Sequence, residues 1–436
     1  MSQTDSLVSL ARQILEAAET LEQAPPGSIA EEKHLASRNT IISATHALRA
    51  QIFTGSELLE SHQVAYQTLS CLAWLVRFNI FTHVPIPTSS GEPSNEGISY
   101  TELAKLAGVP LARLQTVVRM AITSGLFREA KDGSGITHTA LSMAFATDDS
   151  LRDWIGFMTN WSAPMSSGMA EATARWGDTT AKHQTSFNVA FNSDLPWFEF
   201  VKATPGLPGV FAGYMRAMSR SDGLKLKHLV EGFSWGDLER GSVVVDVGGS
   251  TAQASIALAK AFPELRFIVE DLPEVVEGGP GIIAEAEKGT PAQEGAEKLS
   301  SRITFVAHDF FNPQPELDAT AGAPTVYLLR KILHDWPATR AVEILQHLAV
   351  ALRDGGNPKA RILVMDTILP PSGTVGKHAE ASLRVRDLTM AQCFNSKERE
   401  LSEWEELLGS TEPKLVIKAW KNPVGSSMAV IEAGLE

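Results

Sequence analysis

Histidine is the side chain that most readily gains and loses a proton near neutral pH. His334 stands in the run Leu329-Arg330-Lys331-Ile332-Leu333-His334-Asp335-Trp336, directly after an apolar, strand-like stretch. A lone histidine is more often structural than catalytic; one at the end of a strand, beside a cofactor crevice, has chemistry open to it. Upstream, Val243-Val244-Val245-Asp246-Val247-Gly248-Gly249-Ser250-Thr251-Ala252 carries an apolar strand into small residues and then into a helix. Small residues let a ligand approach the backbone, and a helix N-terminus favours an anionic group. The next strand ends in Glu270-Asp271, and an acid there suits the ribose hydroxyls of a nucleoside cofactor. His308-Asp309-Phe310-Phe311 closes a third strand. A Gly-Gly turn followed by such an acid also fits a nicotinamide dehydrogenase, or an αβ layer with no ligand at all.

The elements that must position these groups follow from periodicity. Strand-like runs at Val243–Val247, Arg266–Glu270, Ile303–Ala307, Thr325–Leu329 and Ile362–Asp366 alternate with helical ones. The helical runs are Ala252–Ala261, a Gly- and Glu-rich stretch to Ser300, and Ala338–Arg353. This predicts an α/β, Rossmann-like sheet, parallel and covered by helices on both faces, with ligands beyond the carboxyl ends of its strands. Gly248, Asp271, Asp309 and His334 should then converge on one crevice. Leu415–Trp420 and Met428–Glu432, joined through Asn422-Pro423-Val424-Gly425, predict an antiparallel C-terminal hairpin at one edge.

The earlier part of the chain reads as helix. Leu7, Leu10, Ile14, Ala17 and Leu21 recur at three- and four-residue spacing over residues 4–22, and Pro25-Pro26-Gly27-Ser28 breaks the pattern. Helices over about 31–52 and 56–80 follow, then a loop at Pro85, Pro87 and Ser89-Ser90-Gly91. From Ser99 the pattern is winged-helix-like: a helix Thr101–Ala107 capped by Thr101, a helix Leu111–Ser124, and a two-stranded wing over Phe127–Thr139 turning at Asp132-Gly133. The second of these helices carries only Arg113 and Arg119, which suits dimerisation or a substrate lid better than DNA. Residues 150–235 are helical and rich in Trp, Phe and Met. Ordinary core explains any one of them; as a set, with Trp161, Met165, Phe187 and Met215, they suit a pocket for a planar apolar ligand. The expected organisation is a helical, winged-helix-like region over 1–150, a helical pocket region over 151–235 and a cofactor-binding domain over 236–436.

Composition sets limits on the function. The chain has 436 residues, 44% hydrophobic and 20% charged, with a net charge of −13. That balance disfavours nucleic-acid binding. The two cysteines, Cys71 and Cys393, form no metal-ligand spacing, so no metal is expected and a reduced, cytoplasmic location fits. The longest apolar run, Cys71 to Phe81, is broken by Arg77 and Asn79 and is too short to span a bilayer.

Taken in order, Val-Asp-Val-Gly-Gly, Asp271-Leu272-Pro273, Asp309-Phe310-Phe311, Ile332-Leu333-His334-Asp335-Trp336 and Lys397-Glu398-Arg399 resemble the class I S-adenosylmethionine-dependent O-methyltransferases of plants and fungi, which act on phenolic and polyketide-type metabolites. The resemblance covers roughly residues 50–436 and is strongest over 241–410. It implies S-adenosyl-L-methionine as cofactor, a small aromatic or polyketide-type substrate and a homodimer built through the N-terminal helices. It implies His334 as general base, oriented by Asp366 and Glu398. Asp246, Gly248, Gly249, Asp271, Leu272, Asp309, Phe310 and Arg330 are then the candidates for the cofactor; Asp335, Met390 and, as a polar anchor outside the family pattern, Lys331 are the candidates for the substrate. His334 would take the proton of a substrate hydroxyl as the oxygen attacks the methyl group, help that typically gives about 10² to 10⁴-fold.

The chain departs from that family at a few positions. Ser250 and Ala252 stand where glycine is usual, and a positive φ at Ala252 would be costly. Asp366 replaces a glutamate and reaches one methylene less far toward His334. Lys331 places a cation beside Arg330. These changes leave room for a relative that binds the cofactor but cyclises, dehydrates or rearranges a polyketide-derived substrate, and for a non-catalytic partner protein.

Overall fold

The computed structural model describes residues 6–23, 31–86, 97–130, 133–288, 297–316 and 322–436. They divide into two compact units. One comprises Met1–Ala172, Ser186–Met218 and Gly376–His378; the other comprises Thr173–Thr185, Ser219–Val375 and Ala379–Glu436. The expected breaks at Pro25-Pro26-Gly27-Ser28 and Ser89-Ser90-Gly91, and Asp132 of the wing, lie outside the described residues.

The first unit is mainly helical. Helices α1 (Leu7–Glu22), α2 (Glu31–Ile52) and α3 (Gly55–Arg77) open it. The Ser6 hydroxyl accepts from the Ser9 N–H at the start of α1, and Thr54 with Glu57 forms a capping box on α3. Helices α4 (Tyr100–Ala107) and α5 (Leu111–Ile122) are the winged-helix pair. The cap of α4 is Ser99, whose hydroxyl accepts from the Glu102 N–H, and not Thr101 as the sequence suggested. The wing also gains a strand that the sequence did not announce. Strand β1 (Ile98–Ser99) pairs antiparallel with β3 (Gly135–Thr137), which pairs in turn with β2 (Arg128–Glu129). Leu75, Phe81, Leu103, Leu114 and Ile136 form the centre of this unit's core. Beyond it, a π-helical turn at Met158–Ser162 carries Trp161 into a cluster of aromatic rings.

The second unit is the expected α/β layer. Its strands are β4 (Val243–Val247), β5 (Arg266–Asp271), β6 (Ile303–Ala307), β7 (Pro324–Arg330), β8 (Arg361–Asp366), β9 (Leu415–Lys421) and β10 (Ala429–Leu435). They lie in the order β9-β10-β8-β7-β4-β5-β6. The five strands β4 to β8 run parallel, and β10 pairs antiparallel with both β8 and β9. Every residue of β4 is buried, which explains its four valines, broken only by Asp246. Helices α6 (Gln253–Ala261), α7 (Ala338–Asp354), α8 (Lys377–Phe394) and α9 (Leu401–Gly409) complete the parts used below. The core joins β4, β7 and β8 to α7 and α9 through Val245, Leu329, Ile344, Leu348, Val364 and Trp404. Among the described residues no helix is long and apolar enough to cross a membrane.

Candidate active site

The chemistry collects at the carboxyl ends of β4, β5, β7 and β8. After β4 the backbone turns through three left-handed residues, with φ +70° at Gly248, +49° at Ser250 and +55° at Ala252. A Cβ on Gly248 would lie 2.7 Å from Ile332 Cδ1 and 3.4 Å from Phe310 Cε1. One on Gly249 would lie 2.8 Å from the Asp246 carboxyl carbon. Only glycine leaves this cradle open. Ser250 and Ala252 keep the backbone that glycine would adopt, at a cost of about 1–2 kcal/mol each. Ala252 therefore stands outside α6 as its left-handed N-cap, where the sequence had placed it in the first turn.

Asp271 closes the turn from β5. Its carboxylate accepts from the Ser250 N–H at 2.8 Å and from the Leu272 N–H at 2.8 Å. Burial nonetheless raises its pKa against those two bonds. Asp246 points inward and accepts from the Ser255 hydroxyl at 2.6 Å; burial pushes it up to about 6 in spite of that bond and of Arg330 nearby. Phe310 reaches the turn from the segment after β6, where Asp309 Oδ1 accepts from the Phe311 N–H at 3.0 Å. An open glycine turn, a carboxylate at the second strand end and an aromatic wall suit the adenosyl and amino-acid parts of S-adenosylmethionine.

Glu270 points elsewhere. It is 1% exposed, accepts from Gln314 Nε2 at 3.2 Å, and leaves Oε1 without a partner. Burial pushes it up to about 7.

His334 occupies the turn after β7, and its ring is enclosed by carboxylates. Its Nδ1 lies 3.0 Å from Glu398 Oε1 and 3.4 Å from Asp366 Oδ1, while Nε2 lies 3.5 Å from Asp335 Oδ1. Burial would depress the imidazole, but Asp366, Asp335 and Glu398 outweigh it and lift it to about 10. The two acids on Nδ1 behave differently. Glu398 takes the hydrogen bond and is held below the usual carboxylate range despite burial. Asp366, fully buried with neither oxygen hydrogen-bonded, is pushed upward by burial and by the other carboxylates. The missing methylene of Asp366 shows here as a contact just longer than a hydrogen bond.

Several supports were not visible in the sequence. Arg399 clamps the His-Asp-Trp turn by donating to the carbonyls of Leu333 at 2.8 Å and Trp336 at 2.7 Å. The Glu398 N–H donates to Asp387 Oδ1 of α8 at 3.0 Å. Met390 lies on the same helix, one turn beyond Arg386. The segment Thr173–Thr185 is fastened by Asn395, whose Nδ2 donates to the carbonyls of Ala181 at 2.8 Å and Gln184 at 3.1 Å. It sets the Lys182 ammonium 3.4 Å above the Trp336 ring centroid. Of these, only Arg399 carried a signal, as the neighbour of Glu398.

The remaining sequence candidates belong to the first unit. Trp161 stacks on Phe191, Phe187 is fully buried among Phe191, Trp197 and Phe200, and Met165 is 2% exposed. Met215 lies on the helix Leu207–Ser219 and is 37% exposed.

Comparison with known proteins gives the family and the fold. Residues 177–412 match the model of the O-methyltransferase domain. The O-methyltransferase pgmB of Aspergillus terreus is 44% identical over 378 residues, spanning 87% of this chain and 99% of the relative. The O-methyltransferase VdtC of Byssochlamys spectabilis is 43% identical, spanning 91% of this chain and 86% of the relative. The solved structure of LepI in complex with S-adenosylmethionine shares the fold, with TM-score 0.72, 20% identity and coverage of 98% and 100%. The chain belongs to the S-adenosylmethionine-dependent O-methyltransferase family.

Proposed function

We propose that this enzyme methylates a hydroxyl of an aromatic or polyketide-type secondary metabolite, with His334 as the group that receives the hydroxyl proton. The observation that carries this reading is the histidine held by Glu398 and Asp366 at the strand ends that also carry the glycine turn. Gly248, Gly249, Asp271 and Leu272 would hold the cofactor, with Asp309, Phe310, Arg330 and Asp246 shaping its cleft. S-adenosylmethionine, when bound, supplies an electrophilic methyl group on a positively charged sulfur. Lys331, Asp335 and Met390 are assigned to the acceptor.

The residues of the chain then divide the work. Glu398 fixes the ring and keeps Nε2 as the atom that meets the hydroxyl. His334 accepts a proton only from its neutral form, and at rest it stays protonated up to about pH 10. A phenol also titrates near pH 10, about as tyrosine does. The two groups are matched, so the proton moves between them with little preference either way. Arg399 holds the turn on which this geometry depends.

A homodimer formed by the N-terminal helices is part of the proposal. Val8, Leu15, Ile52, Leu59, Val64 and Tyr66 of that region are more than half exposed, apolar side chains that a second copy of the chain would cover. Free thiols at Cys71 and Cys393 support a reduced, cytoplasmic setting.

The test is transfer of an isotope-labelled methyl from S-adenosylmethionine into phenols and a host metabolite extract, with His334→Ala alongside. A labelled product that falls about 10² to 10⁴-fold in the variant, with cofactor affinity retained, is expected. Cofactor binding accompanied only by products isomeric with their precursors, or one water lighter, would replace methyl transfer with rearrangement.

A further inference from the structure

Lys331 is the first residue beyond β7 and sits at φ +57°. A left-handed backbone costs a residue with a Cβ roughly 1–2 kcal/mol, and lysine lacks the short polar side chain that eases it for asparagine. Its N–H donates to the Met365 carbonyl at 3.1 Å, so the strained residue is locked against β8. Strain retained at a strand end beside a reactive group points to a use for the side chain.

The cations near His334 differ in what they hold. Arg399 donates to two carbonyls and Arg330 to the Leu224 carbonyl at 3.1 Å. The Lys331 ammonium makes no hydrogen bond or ion pair among the described residues. Burial, with Arg330 and Arg386, lowers its pKa to about 8, against the pull of Asp366 and Asp335. Those two acids lie on opposite sides of the imidazole, one at Nδ1 and one at Nε2. The ammonium therefore belongs to the same charged cluster as the ring. The ammonium is neither bonded among the described residues nor sealed off from solvent, so it is open to an acceptor oxygen that a ligand brings.

We propose that Lys331 is a specificity residue that donates to a carbonyl or carboxylate oxygen on the carbon next to the methylated hydroxyl, so that the acceptors are ortho-hydroxy aromatic ketones or acids. This inference rests on the methyl-transfer reading of the site. The chemistry gives the contact a purpose. In an ortho-hydroxy ketone the hydroxyl donates internally to the carbonyl oxygen, which ties up the proton that His334 must receive. An ammonium that takes over the carbonyl oxygen releases the hydroxyl to turn toward Nε2. Without a neighbouring carbonyl there is no internal bond to break, and Lys331 gains no acceptor.

The experiment compares 2-acetyl-1-naphthol, 1-hydroxy-2-naphthoate and 1-naphthol in two assays with the full chain. One is steady-state methylation. The other is equilibrium binding of each acceptor in the presence of S-adenosylhomocysteine. The wild type is expected to favour the ketone and the acid over 1-naphthol in binding and in kcat/KM by roughly 10- to 100-fold. Lys331→Met should erase that margin through KM, costing the ketone and the acid far more than 1-naphthol. Lys331→Asn, whose side chain tolerates the left-handed backbone, should behave alike and guards against misfolding, while Lys331→Arg should restore part of the margin. Equal use of all three acceptors by the wild type, an equal loss on all three in the variants, or no binding of any acceptor overturns the proposal. Carbonyl-selective binding that depends on Lys331, with no methyl transferred, would leave this inference standing and remove the methyl-transfer reading instead.

Discussion

His334 Nδ1 lies 3.0 Å from Oε1 of Glu398, a residue 64 positions further along the chain. Under the proposed mechanism that contact leaves Nε2 to face the acceptor, and it separates Glu398 from Asp366, which stands 3.4 Å from the same atom without a hydrogen bond. Glu398→Gln should therefore lower kcat by about 10² to 10⁴-fold, as loss of an orienting carboxylate does elsewhere. Cofactor affinity measured by calorimetry should stay within about twofold. A kcat within threefold of wild type would show that Glu398 does not set the tautomer.

The carboxylates also predict a pH profile. The imidazole is held protonated up to about pH 10, so the neutral, reactive form becomes commoner as pH rises. For an acceptor that does not itself titrate, log kcat/KM should climb with a slope near one through the neutral range and level off near pH 10. Asp366→Asn removes one of the charges that raise the ring. Its rising limb should move to lower pH by about one unit or more. A profile flat from pH 6 to 9 would contradict the charged resting ring.

Ser250 and Ala252 allow backbone strain to be weighed against packing. Both are left-handed, but Ser250 is exposed and Ala252 is fully buried. Ser250→Gly should stabilise the enzyme by about 0.5–1 kcal/mol, the relief of strain less the added freedom of the unfolded chain. Ala252→Gly gives up a buried methyl worth about 0.8 kcal/mol and should change little. Thermal melts of the two variants in parallel would check the order, and a larger gain at Ala252 would reverse the reasoning.

Much of the α/β unit can be read from the sequence because its central strands β4, β5, β7 and β8 are buried on both faces. The mainly apolar runs at β4 and β6 end where the sequence says they do, β5 and β8 extend by one residue, and β7 extends by one at each end. Helix α8 gave no such signal. Of its residues only Cys393 is buried, so it lacks an apolar stripe, yet it provides the Asp387 acceptor for Glu398. His334 and Glu398 stood out through ordered motifs. Lys182 over Trp336 and Arg399 on the Leu333 carbonyl did not, because contacts between distant stretches leave no local pattern.

Glu270 predicts a pH-dependent stability. Burial raises its folded pKa to about 7, above the ordinary 4.5. Between these values the folded state holds a proton that the unfolded chain releases, so stability falls as pH rises from about 4.5 to 7 and stays lower beyond. Glu270→Gln removes that loss. Its melting temperature should exceed that of wild type at pH 8, by an effect of about 3 kcal/mol at most, and match it near pH 4.5. A gain equal at both values would mean that the carboxyl is already charged in the fold.

The N-terminal helices predict an assembly. Leu59 and Val8 are 71% and 67% exposed, and Leu59→Glu combined with Val8→Glu should convert a two-chain mass to a one-chain mass in gel filtration. A wild-type mass of one chain at micromolar concentration would defeat the dimer.

Thr173–Thr185 belongs with His334, although Ser186–Met218, which follows it, belongs with the other unit. Neither unit is a continuous length of chain. A gene crossover that joined the front of a relative to this chain at residue 219 would exchange Lys182 and the Ala181 and Gln184 carbonyls along with it. Asn395 would then face a foreign segment, and Trp336 would lose the ammonium above its ring. Swapping of whole pieces is a poor route by which such a protein could diversify, and point substitutions that respect the interleaving remain the open one.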